Sequence, residues 1–508
     1  MTQLPQLPES YWTTSVSLPE FAALSEDANA DVAIVGAGIT GITSAYLLSK
    51  AGRKVVLVDA GRVAHGTTGH TTAKITAQHD LIYDELIAHF GLDKARLYYE
   101  ANRDALAFIR KTVEEEGISC DLAEESAYLY ATTNETAAKL ERELRAYDKL
   151  NIPNVWSDRV DLPLKIAGAL GMKGQARFHP AAYLNALIDR IVRSGSRVYE
   201  NTTVVKVEDG DSPVVVTREG ARIRCDRVIS ASHFPFLDWK GFYFARMHAE
   251  RSYVLAVRIG ETYPGGMYLD AGKPSRSVRE IRYKDEPLIL IGGEGHKAGQ
   301  SECTIKHYEA LQAFADSLFD VKEIAYRWST QDLVTLDKVP YVGRITPGND
   351  RILIGTGYRK WGMTNGTAAA RLLAKLAMDE SDPYEELYDP TRLHADPDIA
   401  TFVKDNADVA KNLVAGKLEA VYRDPEDVAV GEGAVVSVNG KRAGAYRDGD
   451  GKLHLVDTTC THMGCETKWN DGDRTWDCPC HGSRFSYTGD VVEGPAKRPL
   501  RSVSPESS

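Results

Sequence analysis

The sequence predicts a large α/β dinucleotide-binding unit with an interleaved α+β region, followed by a small all-β domain. Three observations predict it. A strand–glycine turn–helix–strand unit occupies residues 31–61, strand-rich and helical segments alternate from there to about residue 380, and four cysteines crowd into a short β-rich tail. At 508 residues the chain is too long for one hydrophobic core. Its net charge of -11 argues against a nucleic-acid-binding face.

Residues 1–30, with Pro5, Pro8 and Pro19, read as an irregular arm. The longest uncharged run, Val32 to Ser49, is broken by Gly36, Gly38 and Gly41, so it reads as a strand, turn and helix and not as a membrane span. The amino terminus has no charged segment leading into an apolar one, and the expected compartment is the cytoplasm.

In residues 31–61 an apolar strand precedes Gly36-x-Gly38-x-x-Gly41, and a second apolar strand ends at Asp59. Gly36 permits the tight turn. Gly38 admits a pyrophosphate to backbone N–H groups at the helix start, and Gly41 lets helix and strand pack closely. Asp59 is placed to accept hydrogen bonds from ribose hydroxyls. Together these form a dinucleotide site. Residues 80–117 read as helical, 198–233 and 252–293 as strands, and 367–378 as a closing helix. Residues 381–398 have linker composition, and a short helix near 399–416 leads into the tail.

The tail holds Cys460-x-His462 and Cys478-x-x-His481. Two thiolates on one iron and two imidazoles on the other describe a Rieske [2Fe–2S] cluster; a tetrahedral zinc could also use two Cys and two His, but leaves Cys465 and Cys480 unexplained. Only 27 residues follow His481, and none is His, so a mononuclear-iron oxygenase domain does not follow it.

Beyond the bare motifs, residues 11–380 resemble the glycine/D-amino-acid oxidase superfamily of flavoproteins, including the γ-glutamylputrescine oxidase subgroup. The resemblance rests on Tyr11–Trp12, on ADVAIVGAGITG, on HPAAYLNALIDRIVRSGSRVYENTTVVKVE, and on VPYVGRI followed by ILIGTGYRKWGMTNGTAAARLLAKL. It implies FAD as the dinucleotide. It divides residues 31–380 into flavin segments (about 31–105, 165–240 and 330–380) and substrate segments (about 106–164 and 241–329). Val204 would meet the adenine, and the backbone at Gly355, Gly357, Gly362, Met363 and Thr364 would lie against the flavin. His70 falls where some members attach FAD covalently; otherwise it is a loop histidine near the pyrophosphate. Arg251, Tyr253, Arg276, Arg279, Arg282, Tyr283 and His296 fall in the substrate half. Trp361, Tyr253 and His296 are the catalytic candidates. Thr364 stands where several amino-acid-oxidising members place a basic residue, a departure from that substrate type.

The tail, residues 421–508 after a linker and helix at 381–420, is similar to Rieske proteins of the cytochrome bc and b6f type. That likeness implies a Cys465–Cys480 disulfide between the cluster loops, and Ser483 as hydrogen-bond donor to a bridging sulfide. Phe485 replaces a tyrosine of high-potential members, which implies a lower potential. The pairing of domains resembles a bacterial group of flavoproteins and implies a dehydrogenase. It would oxidise a C–N bond of an amine or amino-acid-like substrate and pass electrons from FAD to the cluster, then to an external carrier. Reverse flow from cluster to FAD, and a non-enzymatic redox sensor, are the two rival readings.

Overall fold

The computed structural model describes residues 3–504 except 238, 285, 395 and 420. A six-stranded sheet forms the nucleotide layer. Its order is Tyr341–Arg344, Ile352–Thr356, Arg227–Ser230, Val32–Val35, Val55–Val58 and Arg197–Tyr199. All neighbours run parallel except Tyr341–Arg344. Val32–Val35 and Val55–Val58 are buried throughout, as uninterrupted apolar runs inside a parallel sheet must be. Helices Ile39–Lys50 and Gly362–Ala377 pack against each other beside it, so closely that a Cβ on Gly366 would lie 2.8 Å from Ile39 Cγ2.

The substrate half is built on a long mixed sheet. Met247–Ile259 pairs antiparallel with both Val321–Thr335 and Glu286–Lys297. The carboxyl-terminal domain contains two antiparallel sheets, Gly433–Val438 to Leu453–Val456 and Lys468–Asn470 to Val491–Glu493. Among the described residues no helix is long and apolar enough to cross a membrane.

Several elements depart from expectation. The predicted 80–117 helix is Tyr83–Glu115, broken at Gly91, where φ is 80°. The closing helix starts at Gly362, so the flavin-signature glycine opens it. The amino-terminal arm is not loose. Ser10 caps a short helix, Tyr11–Thr14, and Ser10 Oγ donates to Gly69 O while Trp12 Nε1 donates to Thr71 O. The arm therefore braces the 66–79 loop. The presumed linker is also anchored: Arg392 pairs with buried Asp337 at 2.7 Å, and helix Asp398–Leu418 lies against the flavin half through Asp405.

Candidate functional site

The glycine loop is defined by steric necessity. A Cβ on Gly36 would lie 2.4 Å from Ala231 O, and one on Gly41 would lie 1.8 Å from Gly36 O. Asp59 accepts from the Ala37 N–H at 2.6 Å and the Gly61 N–H at 2.8 Å, so it ties both loops together; burial raises its pKa, with those two donors opposing. Gly38 caps the Ile39–Lys50 helix without a side-chain partner, and Thr68 Oγ1 accepts from the Ile39 N–H at 3.1 Å. Val204 opens a buried strand two residues after Thr202, whose N–H donates to Asp59 O. These residues form a cradle that fits a dinucleotide.

A second helix start faces the same region. Thr40 Oγ1 donates to Tyr358 Oη at 3.1 Å, which joins the Ile39 helix to the turn that precedes Gly362. Gly355 lies in strand Ile352–Thr356 and Gly357 on that turn, where a Cβ on Gly357 would lie 2.3 Å from Thr335 Cγ2. Met363 is buried, and Thr364 Oγ1 donates to Thr76 O at 3.0 Å. Trp361 stacks on His79 with centroids 4.8 Å apart. His79 is fully buried between Tyr98 Oη, Thr76 O and Thr364 Oγ1, and burial, then Arg359, pushes its pKa down to about 3. It is a neutral imidazole at any physiological pH. His79 was missed in the sequence although it ends the loop that contains His70. His70 Nδ1 bonds Gly66 O at 2.7 Å, and its own carbonyl accepts from Trp328 Nε1.

Register assigns the faces of the substrate sheet. Val254 pairs with Trp328, and Tyr253 with Ser329. Since neighbouring side chains alternate, Trp328, Thr330 and Asp332 face the 66–79 loop together with Glu250, Ser252 and Val254. On that face Ser252 Oγ and Thr330 Oγ1 are buried without a hydrogen-bond partner among the described residues. Lys360 Nζ lies 3.5 Å from Glu250 Oε2, and burial raises the Asp332 carboxyl to about 7. This polar face, with Trp361 beside it, fits a flavin and its substrate.

Tyr253 and His296 are on the other face. They bond each other at 2.9 Å and stack with His307 (centroids 4.8 and 4.6 Å), packed on Tyr308. The expectation that these two line the substrate side gives way to a structural role, because alternation turns them toward the docked carboxyl-terminal domain. Arg251 is likewise a docking residue. Arg276 pairs with Glu294, and Arg282 is exposed near Glu280; the Tyr283 side chain lies outside the described residues.

In the tail, Cys460 and Cys478 are buried side by side. Their shared hydrogen bond holds the Cys460 thiol low and the Cys478 thiol high. The His462 and His481 rings stand together, 5.1 Å apart and nearly perpendicular. Cys465 and Cys480 form a disulfide with Cα atoms 6.5 Å apart. Paired sulfurs and paired imidazoles fit the two unlike irons of a Rieske cluster. The Ser483 hydroxyl reaches Cys460 and accepts from the Ala496 N–H; Phe485 is fully buried among the cysteines.

The cluster loops pack in part against the rest of the chain, with Met463 left exposed. Phe244 of the substrate half stands edge-on to His462 at 5.8 Å and to His481 at 5.6 Å. Gly482, at φ 79°, lies so close to the sheet that a Cβ would be 2.6 Å from the Ala249 Cβ, and Gln331 Nε2 donates to its carbonyl. Buried charges join the halves. Arg251 binds Glu493 at 2.6 Å, Ser329 at 3.0 Å and Gln331 at 2.9 Å. Asp473 accepts from Ser329 at 2.5 Å and Tyr308 at 2.8 Å, and pairs with Arg484.

Comparison with known proteins agrees with this geometry. The FAD dependent oxidoreductase family matches residues 31–376, and the Rieske [2Fe-2S] domain family matches residues 419–504. The Rieske 2Fe-2S iron-sulfur protein YhfW of Bacillus subtilis (strain 168) is 50% identical over 98% of both chains. Gamma-glutamylputrescine oxidoreductase of Escherichia coli (strain K12) is 25% identical over 74% of this chain and 90% of its own. Glycine oxidase from Geobacillus kaustophilus superposes with a TM-score of 0.61 at 20% identity, covering 72% of this chain and 99% of that one, and so shares the fold. The cofactors are FAD and one [2Fe–2S] cluster. The chain belongs to the FAD dependent oxidoreductase family and carries a Rieske [2Fe-2S] domain as its own iron–sulfur centre.

Proposed function

We propose that the protein is a dehydrogenase that oxidises the C–N bond of an amine or amino-acid-like substrate and delivers the electrons through its own cluster to an external one-electron acceptor. When bound, FAD supplies a hydride acceptor and the cluster a one-electron carrier. The carrying observation is the docking geometry: both cluster histidines abut Phe244 of the substrate half. Glu493 of the Rieske domain also acts electrostatically on His70 and His233, which belong to the flavin half. A cluster carried on the same chain would supply an exit for electrons at high local concentration, so oxygen would not be needed as acceptor.

The chain's residues supply orientation and exclusion of water. Trp361, stacked on His79, stands beside the Gly362 helix start, where it would shield the flavin side from water. Asp332 and Glu250 pair on the sheet, and Lys360 reaches Glu250 from the turn before Gly362. Gamma-glutamylputrescine oxidoreductase and glycine oxidase are both named for nitrogen-bearing substrates, which favours C–N oxidation here.

The test is anaerobic addition of amines, N-methyl amines and amino acids to oxidised protein. Flavin bleaching followed by the cluster's paramagnetic signal is the expected result. If a reduced carrier protein fills the cluster first and the flavin second, while no amine bleaches the flavin, electron flow is reversed. If dithionite alone reduces both centres, the protein is a sensor.

A further inference from the structure

Helix Asp398–Leu418 is amphipathic the wrong way round. Its fully buried residues are two carboxylates, Asp398 and Asp405. Asp405 bonds His248 at 2.9 Å and Lys297 at 3.0 Å, Asp408 accepts from Lys297 and Gln300, and Asn406 donates to Ala245 O. Beside them Val409 and Leu413 pack on the cluster core, and a Cβ on Gly416 would lie 2.9 Å from Glu466 Cβ. These contacts fix the rotation of the helix. The face turned outward then carries Ile399, Val403, Ala407, Ala410, Val414 and Leu418. They recur every three or four residues, which confines them to a stripe about 100° wide. Ile399 is 55% exposed, Val403 61%, Val414 57% and Leu418 78%.

The water-facing side of a helix ordinarily carries polar side chains, so a continuous apolar stripe there marks a surface that something covers. Charge says what covers it. Every exposed charge from Ile399 to Leu418 is a lysine. Lys404 and Lys411 follow one border of the stripe and Lys417 the other. Lys417 lies 3.7 Å from Glu466, while Lys404 and Lys411 enter no ion pair among the described residues. A second copy laid stripe to stripe would set lysine against lysine, with no exposed carboxylate on the helix to meet them. An anionic bilayer meets both demands. The apolar side chains enter the boundary between headgroups and acyl chains, and the lysine stems reach along the stripe to set their ammonium groups among the phosphates. Leu393 before the helix and Tyr422 after it are both exposed and lengthen the surface at its two ends.

We propose that helix Asp398–Leu418 lies flat on an anionic phospholipid surface and docks the protein to a membrane through this stripe without crossing it. The proposal goes beyond the dehydrogenase reading and does not rest on it. The opposite side of the same helix touches the cluster loop, where Val409 O is 3.8 Å from Cys480 Sγ. Docking therefore sets the lipid surface one helix diameter, about 10 Å, from that loop.

The experiment floats the flavin- and cluster-loaded full chain with vesicles on a density gradient. One set of vesicles is phosphatidylglycerol and phosphatidylcholine in equal parts, the other phosphatidylcholine alone. The wild type should float with the first and stay behind with the second, and added salt should weaken its binding. Lys404→Gln with Lys411→Gln should weaken binding on the order of 30-fold, the loss of two lysines near an anionic surface. Val403→Asp with Val414→Asp should weaken it on the order of 100-fold or more, because carboxylates replace the inserted side chains. Both variants should keep the flavin content, the cluster content and the unfolding temperature of the wild type, since the altered side chains face outward. Sedimentation equilibrium should give the same mass for wild type and Val403→Asp/Val414→Asp. Three results would overturn the proposal: no flotation with anionic vesicles, equal flotation of wild type and Val403→Asp/Val414→Asp, or a wild-type dimer that this variant splits, which would make a second copy the cover. None of these readouts needs turnover, so a failure of the dehydrogenase reading is seen separately, as absence of flavin bleaching by every amine.

Discussion

Arg251→Met is the most direct probe of the seam between the two halves. In the docked state Asp473, Asp477 and Glu493 face Arg251 and Arg484. Three carboxylates against two guanidiniums leave one excess negative charge; without Arg251 the excess is two. The methionine keeps an unbranched apolar stem and loses the guanidinium with its bonds to Glu493, Ser329 and Gln331. Removing one partner of a buried pair costs about 3–5 kcal/mol. The lower figure raises the undocked population by a factor on the order of 100. Trypsin cleavage within residues 381–420 reports that population when opening is fast. Cleavage should accelerate by about that factor while flavin and cluster contents hold. Adding Glu493→Gln should recover part of the loss, a coupling of about 1–3 kcal/mol. The seam has a pH signature too. Burial opposes ionisation of Asp473, but Arg484 and Arg251 outweigh it and hold the carboxyl down at about 2. Its contribution is complete above the unfolded value of about 4 and disappears as pH falls through that range toward 2. Wild-type cleavage kinetics in Arg251→Met would refute the account of the seam.

Other outcomes follow from single sites. Gly41→Ala should purify with little or no flavin, read from absorbance, because the new Cβ meets Gly36 O at 1.8 Å. Phe485→Tyr should raise the cluster potential in a spectroscopic redox titration, by adding a hydroxyl donor among the cysteines where Phe485 is buried. His248 is pushed up to about 9: burial alone would lower it, but Asp405 and Glu250 outweigh burial. Its hold on helix Asp398–Leu418 is complete below pH ~6.5 and fades as pH rises through about 9, so thermal unfolding at pH 6, 8 and 10 should show a decline that His248→Gln lacks. Acid precipitation should release the flavin into the supernatant; flavin in the pellet would make His70 an attachment point.

Local signals were legible in the sequence because local sterics write them. Gly36 and Gly41 admit no Cβ, and the Cys-x-His and Cys-x-x-His arms are short enough to read directly. Contacts across long separations were not legible. Tyr253 and His296 sit in a stretch that does belong to the substrate sheet, yet register by one residue decides which face a side chain takes, and that register is set far along the chain, for Tyr253 by Ser329 and for His296 by Arg251. His79 gave one faint sign, its place at the end of the 66–79 loop; its partners Tyr98 and Thr364 lie on two other elements. The linker composition of residues 381–398 concealed Arg392, whose partner Asp337 is buried far back in the chain.

The position of Phe244 against both cluster histidines has a consequence for how the molecule is made. Docking narrows the way in for iron and sulfide by placing Phe244 against both rings. The expected order is therefore that the small domain receives its inorganic core before it closes onto its neighbour. A seam composed of charged groups suits that order, since the waiting halves present water-compatible surfaces to each other and not exposed oil.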